Sequence, residues 1–325
     1  MSFMFEPLPF PLGILLSFLV GVVVSISITP ALVRKASSVG LLAPDVHKPL
    51  RPQIPNLGGV AVVVSFLAAM TVGGLLTLDQ VSVFVIFFTA SLGAIVGLID
   101  DLLDLSMPTH VFVTLLIGVP LVAYGAGSSV LGLTPWGPLD LGFLFWLVVP
   151  LITAFLTNSV NIYAGFNGLE TGLAATTSIA LGVSALMYGS MESAFALLAL
   201  GGALVGFARW NISPAQILLG NIGTYLIGAV LSASVIVGSI KVAAAIACFP
   251  YFINFLLRIR HRFKWTVGDT LPNGLVRAEG PIALWAVFMQ KPTTERNVVA
   301  GCVTVQAIFG ALAVLYSMHY ALHLI

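Results

Sequence analysis

Long apolar stretches alternate with short polar ones along the whole chain. The apolar runs fall at about 10–29, 57–78, 82–99, 110–126, 142–158, 171–189, 193–208, 217–239, 241–257 and 298–322. A helix needs roughly 20 apolar residues to cross a bilayer, so this pattern predicts an all-α integral membrane protein with about ten transmembrane helices. The shortest run, 193–208, is short enough to be tilted or partly re-entrant. An outer-membrane barrel would show short strands of alternating polarity instead. Only Glu6, and no Lys or Arg, precedes the first run. A cleaved signal peptide wants a basic start, so the first run reads as a retained helix. Neither an internal repeat nor a low-complexity segment interrupts the pattern, which predicts one polytopic domain over residues 1–325.

Composition narrows the class. Hydrophobic residues make up 59% and charged residues 8%, and mean hydropathy is +1.09. Soluble chains carry about 25% charged residues, so 8% cannot coat a water-facing surface. Disorder is excluded because it needs low hydrophobicity. The net charge of +1 argues against nucleic acid as a partner. Cys248 and Cys302 both lie in apolar runs, which predicts buried thiols with no disulfide and no zinc site.

Charge placement then orients the chain. With the N-terminus outside, the inside loops hold Arg34, Lys35, Lys48, Arg51, Arg209, Arg258, Arg260, Arg262, Lys264, Arg277, Lys291 and Arg296, leaving Lys241 alone outside. Twelve of the thirteen basic residues therefore obey the positive-inside rule. The inside stretches are 30–56, 100–109, 159–170, 209–222 and 258–297. The last is the longest polar loop, and its glycines and prolines predict turns with little long helix.

The polar clusters all fall on that side. Asp100, Asp101 and Asp104 close the third apolar run. Asp100 and Asp104 share a helix face, with Asp101 about 100° round. Acids at a helix C-terminus oppose the macrodipole, and such a trio suits magnesium with substrate phosphates; the alternative is a solvated helix end. In Asn158-Ser-Val-Asn161-Ile-Tyr-Ala-Gly165-Phe-Asn167-Gly168-Leu-Glu170, Asn158 and Asn161 are spaced to point at one spot. The two glycines there permit close backbone approach. That stretch predicts a polar pocket able to ligate magnesium or read a nucleobase, or else a capped turn. Arg258-Ile-Arg260-His261-Arg262-Phe-Lys264-Trp265 offers an anion cradle, although topology alone also places cations there. His261 suits a hydrogen-bonding or proton-transfer role. Gly220-Asn221-Ile-Gly-Thr-Tyr225 opens the eighth run, where a helix N-terminus can hold an anion or Asn221 can simply cap. Lys48-Pro-Leu-Arg-Pro-Gln-Ile-Pro-Asn-Leu-Gly58-Gly59 forms a stiff loop before the second run.

Taken together, RPQIPNLGG, GLIDDLLD, NSVNIYAGFNGLE, GNIGTY and RIRHR, in that order, resemble the polyprenyl-phosphate N-acetylhexosamine-1-phosphate transferase family. That family includes bacterial MraY and WecA and the eukaryotic dolichyl-phosphate GlcNAc-1-phosphotransferase. Pro292-Thr-Thr-Glu-Arg-Asn297 is similar to the eukaryotic branch, and the resemblance runs from about Asp45 to the last helix. It implies a Mg2+-dependent transfer of GlcNAc-1-phosphate from UDP-GlcNAc to a polyprenyl (dolichyl) phosphate. UMP is released, and a lipid-linked glycan for N-glycosylation or surface polysaccharide is started. Carried over by position, Asp100, Asp101 and His261 are the expected catalytic residues, and Asn161 and Asn221 the expected metal ligands. Lys48, His110, Gly165, Asn167, Glu170, Leu218, Arg260 and Arg262 are the expected substrate-binding residues.

Three positions depart from the family pattern. Asn221 stands where an aspartate ligand is usual, His110 where a lysine is usual, and Leu218 where eukaryotic relatives stack an aromatic ring. The first change predicts weak magnesium affinity. The resemblance leaves open another UDP-amino sugar, undecaprenyl phosphate as acceptor, or an inactive or transport-type lipid-binding relative. A transporter would place its polar groups near mid-membrane, often with inverted repeats. The expected setting is the plasma membrane of a prokaryote or archaeon, or the endoplasmic reticulum of a eukaryote. The active site faces the cytoplasm there, and a homodimer is a candidate assembly.

Overall fold

In the computed structural model, each of the ten apolar runs lies on a helix or a pair of helices. The structure describes residues 10–77, 79–133, 137–263 and 268–322. The expectations placed on Glu6, Lys264 and Trp265 lie outside the described residues. The helices are α1 (Phe10–Val39), α2 (Gly58–Thr77), α3 (Gln80–Leu103), α4 (Met107–Ile117), α5 (Val119–Ala123) and α6 (Leu144–Ile162). They continue with α7 (Leu169–Met187), α8 (Met191–Asn211), α9 (Gly220–Val237), α10 (Lys241–Ala247), α11 (Phe249–Arg260) and α12 (Glu295–Leu322).

Among the described residues, seven helices are long and apolar enough to cross a membrane, or eight if α10 and α11 form one broken span bent by 58°. Gly58–Val72 and Pro108–Ala123 form two shorter apolar helices. Large apolar side chains such as Leu15, Val23, Phe112 and Leu147 are more than half exposed. Water would penalise such faces, whereas lipid tails would not.

Two expectations need correction. The stretch after residue 29 is not loop at first, because α1 continues through Pro30 to Val39. The run at 193–208 is no marginal element: α8 spans 21 residues, and it and α9 are the most enclosed of the candidate spans. Small residues explain its burial. A Cβ on Gly202 would lie 2.2 Å from the Phe18 carbonyl oxygen, and one on Gly206 would lie 2.5 Å from that of Val22. Backbones this close are typical of helix pairs packed through small residues in membranes.

Among the described residues, three small antiparallel hairpins decorate the bundle. They are β1 (Leu42–Pro44) with β2 (Gln53–Pro55), β3 (Val130–Leu133) with β4 (Gly137–Asp140), and β5 (Asp269–Thr270) with β6 (Val276–Arg277). The loop at 258–297 holds the last hairpin and a 3-10 turn at Leu284–Met289. Both cysteines are free and buried.

Candidate active site

The site forms where the end of α3 meets the start of α9. Gly97 lets the two helices touch: a Cβ there would lie 2.4 Å from the Asn221 carbonyl oxygen. Asp101 follows one turn later and reaches across. Its Oδ1 accepts from the Asn221 N–H at 2.9 Å and its Oδ2 from the Ile222 N–H at 3.0 Å. This answers the electrostatic puzzle in the sequence. An acid disfavoured at the C-terminus of its own helix is favoured at the N-terminus of another. Gly220 makes the contact possible, since its φ is +72° and a Cβ would lie 2.8 Å from Asp101 Oδ2.

Asp100 sits differently. It is 2% exposed, and each of its oxygens takes two donors. Oδ1 accepts from the Leu105 N–H at 3.0 Å and lies 2.8 Å from His110 Nε2. Oδ2 accepts from Asn221 Nδ2 at 2.9 Å and from the Tyr225 hydroxyl at 3.0 Å. That hydroxyl is also 3.1 Å from His110 Nδ1. Four donors fill the usual lone-pair sites of a carboxylate, so Asp100 ties α3, α4 and α9 together. Asp104 is exposed and caps α3 in a left-handed conformation with φ 49°. The three acids therefore do not face one pocket.

Beside this junction lies a cavity of about 430 Å³, walled by Asp101, Asn161, Gly165, Asn167, Glu170, Leu218 and Asn221 among others. Asn161 Oδ1 accepts from the Thr224 hydroxyl at 3.1 Å. Asn158 does not join it. Its amide donates to Thr114 Oγ1 and to the Ala154 carbonyl, both at 2.8 Å, which turns it toward α4. Gly165 has φ +132°, and its N–H donates to Glu170 Oε1 at 3.1 Å.

The Gly165–Asn167 turn is braced from behind. The Asn167 N–H donates to Glu295 Oε1 and its Nδ2 donates to Asp45 Oδ2, both at 2.8 Å. The Lys48 ammonium pairs with Glu295 Oε2, which also accepts from the Ser213 hydroxyl at 2.6 Å. His47 stacks on Phe166 with ring centroids 3.8 Å apart and planes 9° apart. Burial pushes the His47 imidazole down to about 4, opposed in part by Glu295 and the Gly165 backbone, so it is neutral near neutral pH.

Of the expected site residues, seven line the cavity: Asp101, Asn161, Gly165, Asn167, Glu170, Leu218 and Asn221. Asp100 and His110 stand behind Asp101, and Lys48 stands behind Asn167. Arg260, His261 and Arg262 end α11 and do not contribute to the cavity wall. Asp45, His47, Glu295 and Tyr225 carry structural duties that the motifs did not reveal. Glu295 lies in the Pro-Thr-Thr-Glu-Arg-Asn stretch, which was the one available signal.

The donor set favours a hard cation. Among the described residues, no cluster of three His, Cys, Asp or Glu side chains could hold a metal. The cavity wall instead carries the carboxylates of Asp45, Asp101 and Glu170 with amides that include those of Asn56, Asn161 and Asn221. Few protein oxygens plus substrate phosphates suit magnesium, so these residues fit that ion.

Comparison with known proteins agrees with the motifs. Residues 83–239 match the model of Glycosyl transferase family 4. A Saccharolobus solfataricus protein, provisionally named a UDP-N-acetylglucosamine–dolichyl-phosphate N-acetylglucosaminephosphotransferase, is 31% identical over 313 residues, covering 94% of this chain and 97% of that protein. A Thermotoga maritima undecaprenyl-phosphate alpha-N-acetylglucosaminyl 1-phosphate transferase is 27% identical over 213 residues, covering 64% of this chain and 62% of its own length. The Schizosaccharomyces pombe UDP-N-acetylglucosamine–dolichyl-phosphate N-acetylglucosaminephosphotransferase is 25% identical over 191 residues, covering 52% and 43%.

Proposed function

The chain belongs to Glycosyl transferase family 4, the polyprenyl-phosphate N-acetylhexosamine-1-phosphate transferases, and from there we propose that it transfers GlcNAc-1-phosphate from UDP-GlcNAc to dolichyl phosphate. A phosphate oxygen of the lipid attacks the β-phosphorus. The bond to the bridging oxygen breaks, UMP leaves, and the lipid carries a diphosphate-linked GlcNAc. The observation that carries this reading is the cavity. It gathers carboxylates and amides beside a left-handed glycine turn, at the start of a helix whose first N–H groups hold Asp101.

In this reading Asp101, Asn161 and Asn221 would hold magnesium. A metal ion there would supply electrostatic neutralisation of the substrate phosphates. Gly165 and Asn167 read the uracil, with Leu218 beside it. The braced turn holds that reader rigid before substrate arrives, which spares ordering cost on binding. Asp100 and His110 hold Asp101 and α9 in place. Arg260, His261 and Arg262 approach the diphosphate and sugar from the α11 end. The chain is a single domain of ten spans, with α2 and the α4–α5 pair crossing as well, and its cavity faces the cytoplasm.

The test uses membranes containing the protein, labelled UDP-GlcNAc, magnesium and dolichyl phosphate. A labelled, solvent-extractable diphosphate lipid with equimolar UMP supports the reading. Transfer only from another UDP-amino sugar, or only to undecaprenyl phosphate, would move the assignment within the family. No transfer from any pairing, with folded protein, would overturn it.

A further inference from the structure

A second polar recess lies at the opposite end of the molecule. Following α9 from Gly220 to Val237 leads about 27 Å away from the catalytic cavity by helical rise. There a cavity of about 310 Å³ is bounded by Ser239, Lys241, Tyr188, Tyr316 and Tyr320 among others. The Tyr188 and Tyr320 rings stack with centroids 4.8 Å apart, and Tyr316 stacks on Tyr320 at 6.4 Å. Ser239 has φ 52°, a conformation rare outside glycine and a pointer to function where the fold maintains it.

Lys241 is the exception to the charge pattern, the one cation expected on this side, and it is held rather than free. Its ammonium donates to the Ser128 carbonyl at 2.6 Å and the Val130 carbonyl at 3.3 Å. It also lies 5.1 Å from the centre of the Phe145 ring. An ammonium has three N–H donors, so one is left for a ligand. Among the described residues, no carboxylate lies within ion-pairing distance of it. A second cavity of about 250 Å³ also touches Lys241 and is almost wholly apolar, walled by Phe145, Ile152, Phe155, Ile236 and Cys248 among others. A positioned cation with hydroxyls on one side and an apolar slot on the other matches an amphiphile with an anionic head.

We infer that this end binds an anionic phospholipid of the leaflet opposite the catalytic cavity. Its phosphate sits on Lys241 and the neighbouring hydroxyls, and one chain lies in the apolar slot. The carrier lipid is a different molecule, because its phosphate must reach Asp101 at the other end of α9. The bland alternative is that Lys241 only pins the β3–β4 hairpin while the tyrosines form an interfacial belt. That alternative predicts no lipid preference.

The test is native mass spectrometry of the full chain released from vesicles of equal phosphatidylglycerol and phosphatidylcholine, with thermal unfolding in each lipid alongside. The expected result is several-fold retention of phosphatidylglycerol over phosphatidylcholine. Lys241→Gln abolishes that preference and Lys241→Arg keeps it. Should Lys241→Gln fail to fold, Ser239→Gly removes a hydroxyl while relieving the backbone, and it should weaken the preference. Equal retention of both lipids by the unaltered chain, or an undiminished preference in a folded Lys241→Gln or Ser239→Gly variant, overturns the site. If glycerol 3-phosphate, which has the head without the chains, stabilises the protein as well as phosphatidylglycerol does, the lipid assignment is wrong.

Discussion

Removing the Tyr225 hydroxyl takes one of four donors from Asp100 and leaves His110 Nδ1 without its partner. A buried polar group left unsatisfied costs about 1–3 kcal/mol. Tyr225→Phe should therefore lower stability by about that much and reduce turnover while leaving the Michaelis constant for UDP-GlcNAc nearly unchanged. Thermal unfolding and steady-state kinetics on the same preparation check both halves. Asn221→Asp is a sharper probe. The expected gain is a charged magnesium ligand and a lower magnesium concentration for half-maximal activity. The expected loss is stability, because a carboxylate would replace the amide that now donates to Asp100 at 2.9 Å. Activity titrated against magnesium, with unfolding followed in its absence, separates the two effects; an unchanged midpoint would show that Asn221 is no ligand. His47 gives a pH prediction. Its folded value of about 4 lies below the ordinary 6.5, so the unfolded chain binds more protons between those values. Stability is thus fully present above about pH 6.5 and falls on acidification toward 4, by on the order of 3 kcal/mol at most. Replacing His47 with Gln should flatten that slope in unfolding measured from pH 7 to 4.5. None of these partnerships had a sequence signature. Asn167 and Glu295 are 128 residues apart and Lys48 and Glu295 are 247 apart, so no local spacing could announce them.

Helices were legible wherever apolarity was continuous, and their breaks were not. The runs at 110–126 and 241–257 read as single spans, yet each divides just before a proline, at Gly118-Val119-Pro120 and at Cys248-Phe249-Pro250. Proline removes a donor and clashes with the preceding turn, but its effect depends on whether neighbours satisfy the freed carbonyls, which hydropathy does not report. Close approach is equally hidden, since an apolar run does not show which of its glycines touches a neighbouring helix. A Cβ on Gly97 would meet the α9 backbone at 2.4 Å, whereas one on Gly274 would meet nothing within 4 Å. Gly97→Ala must therefore push α9 away from α3 and pull the Asn221 and Ile222 N–H groups off Asp101. It should abolish transfer and lower the yield of folded, detergent-soluble protein. Gly274→Ala carries only the strain of its φ of +78°, about 1–2 kcal/mol, and should keep most of its activity. Size-exclusion profiles and transfer rates for the pair check this. Similar behaviour of the two variants would mean that the α3–α9 contact does not position the site.

At the scale of the whole molecule, four of the five motifs, from Asn56 to Asn221, converge because helix ends on one face converge, while RIRHR stays off the cavity wall. Asp101 ends α3, Asn161 nearly ends α6, Glu170 begins α7 and Asn221 begins α9. The order of the motifs was therefore enough to anticipate a shared pocket, while its wall had to come from packing. The same geometry ties the site to the distribution of charge. Among the described residues, Lys48 stands behind the cavity turn and Arg209 lies in the last turn of α8, two residues before the cavity-lining Asn211, whereas Lys241 begins α10 beyond the far end of α9. The expectation is that Asp79 and Asp140 face the outside and that Leu50 and Asn273 face the cytoplasm. Cysteines placed singly at these four positions test it, and the buried native thiols keep the background low. Asp79→Cys and Asp140→Cys should react with an impermeant thiol reagent on intact cells, and Leu50→Cys and Asn273→Cys only after permeabilisation. Leu50 is 93% exposed, so protection there on intact cells reflects the barrier of the membrane and not burial in the protein. The reverse labelling pattern would put the cavity outside, where cells keep no pool of nucleotide sugar, and would be incompatible with the transfer proposed for it.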